Sequence, residues 1–120
     1  MIEHHAIAQD IARELGRTRL RMSTEAALQI DVQGVLDRIG YDYAREKPLG
    51  PKDRPDFLAG DVAIEVKARY SKRAIYRQLE RYAGHDAVRA IVLVTGTALG
   101  MPAEIKGKPI YVVNVGMAFL

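Results

Sequence analysis

Arg54-Pro55-Asp56-Phe57-Leu58-Ala59-Gly60-Asp61-Val62-Ala63-Ile64-Glu65-Val66-Lys67 is the stretch on which the fold turns. From Val62 onward, apolar Val62, Ile64 and Val66 alternate with Ala63, Glu65 and Lys67, so a strand buries the first set and carries the second on its other face. Glu65 and Lys67 therefore point the same way. Upstream, Pro55 opens a short apolar segment, Asp56-Phe57-Leu58, and a proline at the first position of a strand forfeits no ladder hydrogen bond. Gly60-Asp61 supplies the turn of an antiparallel hairpin, in which opposed residues sit about 4.5 to 5.5 Å apart. Asp56 is thus expected to face Glu65.

Two carboxylates that close repel unless a cation lies between them, and oxygen ligation with room for water suits Mg2+ or Mn2+ rather than zinc. Such an ion polarises a phosphoryl oxygen and lowers the pKa of a water, while an ammonium at Lys67 stabilises developing negative charge or orients the attacking water. Glu65-Val66-Lys67 alone would also suit a solvated pair on a strand face. In its context, an Asp preceded by Pro, a short turn and then apolar-Glu-apolar-Lys, the segment resembles the signature of the PD-(D/E)xK nuclease superfamily. The resemblance implies a Mg2+-dependent deoxyribonuclease in which Mn2+ substitutes, with Asp56, Glu65 and Lys67 catalytic. It also implies Asp56, Glu65 and the Val66 backbone carbonyl as the metal ligands.

Ser71 to Gly84 reads as a helix. Ser71 is a good N-cap, Ile75, Leu79 and Tyr82 form an apolar stripe, and Gly84 is placed for a left-handed C-terminal position. Gln78-Leu79-Glu80-Arg81-Tyr82 resembles the Gln-x-x-x-Tyr motif of RecB-like branches of the superfamily, which implies that Gln78 and Tyr82 support the metal site or touch nucleic acid; a core Tyr82 and a surface Gln78 are the plainer alternative. Arg69, Lys72, Arg73, Arg77 and Arg81 follow the proposed site, and Arg73, Arg77 and Arg81 recur along one helix face. Such a stripe neutralises phosphates without reading sequence, or is simply a solvated face. Tyr70 and Tyr76 could stack on bases, but aromatic residues near a helix start more often pack, and neither is counted as a site residue.

The chain of 120 residues is expected to be one domain, and 48% hydrophobic content is globular composition. Cysteine is absent, which excludes disulfides, thiolate metal sites and a cysteine nucleophile. No apolar run reaches about 18 residues and the first residues carry acids and His, so a cytoplasmic protein without a membrane span is expected. The net charge of +3 is modestly basic.

Ile2 to Leu15 has an amphipathic pattern ending at Gly16, an N-terminal helix. His4 and His5 lack a spaced partner and are set aside as ligands. Ser23 or Thr24 caps a second helix to about Ile39, stopped by Gly40, with Ala27, Leu28, Val32, Val35, Leu36 and Ile39 buried. By resemblance, Glu25 in its first turn is a possible metal ligand, direct or through water; stabilisation of the helix macrodipole explains it equally well. Gln29, one turn on, could assist. Tyr41 to Glu46 reads as a strand, Lys47 to Arg54 as a flexible surface loop, and Ala90 to Val94 and Pro109 to Val115 as strands. Thr95 to Lys108 reads as a Gly-rich connection with one helical turn at Pro102 to Ile105. Gly96-Thr97-Ala98-Leu99-Gly100 lacks the Lys-Ser/Thr ending of a phosphate loop, so no nucleotide cofactor is expected.

The resemblance thus implies an α/β restriction-endonuclease-like fold, an α-β-β-β-α-β core with a mixed central sheet flanked by helices. Residues 23–115 would form the catalytic core and 1–22 an N-terminal helical extension. The expected activity is that of an endonuclease, with a structure-specific substrate as one option, as in small junction-resolvase or virus-type repair nucleases. Cutting two strands calls for two sites, hence an expected homodimer. DNA is the expected partner, and RNA stays open because no base-reading motif is present. The alternatives are a catalytically inactive nucleic-acid-binding module and an assembly protein on the same fold.

Overall fold

The computed structural model describes residues 2–97 and 100–115, without the side chains of residues 2–4. Ala98 and Leu99 of the 96–100 run, and the side chain of His4, lie outside the described residues. The elements are α1 (Ile2–Arg17), α2 (Glu25–Ile39), β1 (Ala44–Arg45), β2 (Phe57–Ala59), β3 (Val62–Lys67), α3 (Lys72–Ala83), β4 (Ala90–Thr95), β5 (Glu104–Ile105) and β6 (Lys108–Asn114). The protein is α/β, with three helices on a six-stranded mixed sheet among the described residues.

Caps set the helix ends. Thr24 starts α2, its hydroxyl accepting the Ala27 N–H at 3.0 Å, and Gly40 ends it at φ 85° with its N–H on the Leu36 carbonyl. Ser71 starts α3 in the same way, accepting the Ala74 N–H at 3.1 Å. Gly84 departs from the expected left-handed cap: it is right-handed, φ −77°. A Cβ there would meet the Arg81 carbonyl at 3.3 Å and the Lys106 Nζ at 3.4 Å, so glycine serves close approach rather than a positive φ. α1 runs through Gly16 to Arg17 instead of stopping.

The sheet order is β1-β2-β3-β4-β6-β5, with β1, β2 and β3 antiparallel, β3, β4 and β6 parallel, and β5 antiparallel to β6. Both faces are covered, as parallel strands require. Ile11 and Leu15 of α1 and Leu28, Val32 and Leu36 of α2 pack with Val62, Ile64, Val66, Val92 and Val94. Ile75, Leu79 and Tyr82 of α3 pack on the opposite face with Ala63, Ile91, Leu93 and Ile110. The period-two alternation of β3 thus sorts residues between two helical layers, not between core and water. α1, expected as an extension, is part of the first layer, and each fully buried Leu or Ile contributes about 1.5–3 kcal/mol.

Two strands differ from expectation. β1 is confined to Ala44–Arg45 because Glu46 takes φ 48° and turns the chain, while the Tyr41 and Tyr43 hydroxyls are drawn to Asp10 and Asp37 on the helices. In place of a helical turn at 102–105 there is a hairpin: Ile105 pairs with Lys108 across Lys106 (φ 53°) and Gly107 (φ 76°). Two successive positive φ angles are the geometry of a type I′ turn, whose twist matches the strands it joins.

Gly96 follows β4 where it meets the end of β3. A Cβ there would lie 2.8 Å from the Ala68 carbonyl and against the Met22 side chain. A carbonyl held in the backbone cannot yield as a side-chain tip can, so Gly96→Ala should destabilise by roughly 1–3 kcal/mol. Gly34, exposed within α2 with nothing within 4 Å of its Cβ position, is the opposite case. Gly34→Ala should stabilise by about 0.5–1 kcal/mol through helix propensity. Urea titrations of both variants check the pair, and equal shifts would contradict the packing described.

Candidate active site

Extending the β2–β3 register by one residue beyond Phe57↔Ile64 sets Asp56 opposite Glu65. Asp56 lies at the bend before β2, half-buried, and Glu65 is 2% exposed. Every oxygen of the two carboxylates accepts a hydrogen bond. Asp56 Oδ1 takes the Gln29 Nε2 at 3.2 Å, and Oδ2 the Val66 N–H at 2.7 Å. Glu65 Oε1 takes the Asp56 N–H at 3.2 Å, and Oε2 the Lys67 ammonium at 3.1 Å. The sequence trio therefore converges, and Lys67 also lies 4.5 Å from the Tyr70 ring centre.

Burial dominates the electrostatics. It pushes the Glu65 carboxyl up to about 7, with the nearby Asp56 charge adding to the effect and Lys67 opposing it. Asp56 is raised mainly by burial, against the Val66 N–H and Lys67, while the Glu25 charge raises it further. The Tyr82 phenol is pushed far up by burial and by the charges of Glu65 and Asp56. Two carboxyls raised by burial, with a backbone carbonyl beside them, are an oxygen donor set that fits a hard dication such as Mg2+. No group of three or more His, Cys, Asp or Glu able to hold a metal is formed among the described residues. A cation would therefore depend on two carboxylates, the Val66 carbonyl and water. Glu25 approaches, but its Oε1 accepts the Ala68 N–H at 3.2 Å at the end of β3.

Gln78 donates to the Tyr82 hydroxyl at 2.9 Å, which donates to the Arg54 carbonyl at 3.1 Å. These two side chains brace the segment that carries Asp56. Arg81 departs from the expected free stripe: its Nε binds Asp53 Oδ1 at 2.9 Å, and His85 Nε2 meets Asp53 Oδ2 at 2.9 Å. The loop before Asp56 is consequently not simple flexible surface. Asp53 is buried in it, and its carbonyl closes the loop on the Leu49 N–H at 2.7 Å. Arg69, Lys72, Arg73 and Arg77 are exposed without an ion pair among the described residues. Lys72, Arg73, Tyr76, Arg77 and Glu80 line an open pocket of about 570 Å³. His5 contacts the Tyr111 hydroxyl.

Asp53, His85 and Arg45 escape a reading of the sequence. Arg45 spans the Asp56 carbonyl at 3.2 Å and the Gln29 Oε1 at 3.0 Å. No local pattern marks them, since Asp53 finds its partners 28 and 32 positions away. Comparison of the chain with protein-family models, curated proteins and solved structures gave no match.

The folded protein holds the Glu65 proton up to about pH 7, whereas the unfolded chain releases it near 4.5. Metal-free stability from this group therefore falls as pH rises through that window and stays low above it, by an amount on the order of 3 kcal/mol. Glu65→Gln should remove that component. Urea melts in EDTA at pH 5 and pH 8 should show a larger loss for the wild type than for the variant. Equal losses would contradict a carboxyl buried under strain.

Proposed function

We propose that this protein is a divalent-metal-dependent nuclease that hydrolyses phosphodiester bonds in DNA, on a restriction-endonuclease-like arrangement of its sheet and helices. The observation that carries the reading is the meeting of Asp56, Glu65 and Lys67 at one hairpin, with both carboxylates raised. The fold supports it: an antiparallel hairpin leads through α3 into parallel strands, with α2 supplying Glu25 and Gln29 beside the pair.

Asp56, Glu65 and the Val66 carbonyl would hold the ion, which when bound supplies Lewis-acid polarisation of a phosphoryl oxygen and a water of lowered pKa. The Gln29 amide and the Val66 N–H fix the Asp56 carboxylate, and Tyr82 fixes the backbone before it. Lys67 keeps its ammonium at the edge of the buried pair, 13% exposed, where it stabilises charge building on the phosphate. Arg69, Lys72, Arg73 and Arg77 neutralise the flanking backbone. An endonuclease acting as a homodimer in the cytoplasm is consistent with this assignment. The competing reading is a binding module on the same fold, favoured by the lack of a three-residue ligand group among the described residues.

Lys67→Ala should lower Mg2+-dependent cleavage of labelled DNA by roughly 10²–10³-fold while DNA binding in EDTA persists. Binding without cleavage in either Mg2+ or Mn2+ by the wild type would select the binding module. Arg77→Ala should weaken binding to all sequences and reduce the salt slope by about one. Arg81→Ala should instead lower the thermal midpoint, because Asp53 loses its guanidinium partner. A reversed pattern in these two variants would move the phosphate surface to the other end of the stripe.

A further inference from the structure

The basic face beside the site carries aromatic rings that phosphate neutralisation does not require. Three large hydrophobic side chains are exposed among the described residues, Ile30, Tyr70 and Val112, and Tyr70 is the aromatic one, at 43%. Its ring lies 4.5 Å from the Lys67 ammonium, a cation–π contact that orients the ring at the edge of the candidate centre. The Thr97 hydroxyl holds the Tyr70 carbonyl at 2.9 Å, fixing the backbone beneath it. Six positions on, Tyr76 sits with Lys72, Arg73, Arg77 and Glu80 around the open pocket on α3. Lys72, Arg73 and Arg77 form no ion pair among the described residues and outnumber Glu80 on this pocket, so the surface is complementary to a polyanion.

A base pair inside a duplex offers an exposed ring only its edges and backbone. A phenol stacks on a base only where that base's face is open, and alternation of aromatic rings with unpaired cations is the arrangement that holds single strands. We propose that the face running from Tyr70 along α3 to Arg77 takes an unpaired nucleic-acid strand, its bases on Tyr70 and Tyr76 and its phosphates on Lys72, Arg73 and Arg77. This rests on the nuclease reading for its place beside a reacting centre, and it names the substrate as single-stranded, or as the single-stranded part of a branched or frayed molecule.

Binding is measured on the full chain in EDTA, by fluorescence anisotropy, with a labelled DNA single strand, an RNA single strand of the same sequence and the blunt DNA duplex. Either single strand should bind more tightly than the duplex at equal salt. Tyr70→Ala should weaken single-strand binding roughly 5- to 150-fold with an unchanged salt slope and unchanged duplex affinity, while Tyr70→Phe retains it. Because Tyr70 is exposed, its variants should melt with the wild type, and Tyr76→Phe avoids truncating a half-buried ring while keeping the stack. Tighter binding of the duplex, or single-strand affinity indifferent to Tyr70→Ala, overturns the proposal. The RNA arm decides which sugar is preferred. Cleavage is scored separately in Mg2+: selective single-strand binding without cleavage refutes the nuclease reading and leaves this one standing, whereas duplex cleavage by a protein indifferent to Tyr70 does the reverse.

Discussion

Asp56 and Glu65 repel each other at a site where Glu65 is only 2% exposed, and much of the surrounding structure is arranged to hold that repulsion in place. The antiparallel pairing of β2 with β3 sets the two residues on one rung. Left alone, two such groups would separate or protonate. Here the Val66 N–H and Gln29 grip one carboxylate, and Lys67 and the Asp56 N–H grip the other, so the pair is kept together by groups that leave both pKa values raised. The hydrophobic layers on both faces of the sheet supply the stability that offsets this local cost.

The positioning extends outward from the pair. Tyr82, 1% exposed, belongs to the α3 core by its ring and to the site by its hydroxyl, which ties the Arg54 carbonyl. One residue earlier, Asp53 is locked to Arg81 and His85, so the segment entering Asp56 is anchored twice to α3 and its C-terminal end. Arg45 and Gln29 anchor it from the other side. The helix thus divides its labour along its length: its last turns brace the carboxylate segment, and its first turns present Lys72, Arg73 and Arg77 to solvent. That division explains why an apparently uniform arginine stripe has members with different roles.

Short-range patterns in the chain specify the local part of the structure. Alternation in β3, the Gly60 turn, the Ser71 and Thr24 caps and the apolar stripes of α2 and α3 are encoded within a few residues, and hairpin geometry was enough to bring Asp56, Glu65 and Lys67 together. The β5–β6 hairpin was legible in principle from Lys106-Gly107, but a turn that needs two left-handed residues is poorly signalled when only one of them is glycine. The remainder is set by packing across the fold. The pairing of Arg81 with Asp53 in the 47–54 loop and the contact of Glu25 with the Ala68 N–H depend on partners outside the local sequence pattern. The same is true of how strongly burial raises Glu65, because desolvation is a property of everything packed around a carboxylate and is not written in its neighbours.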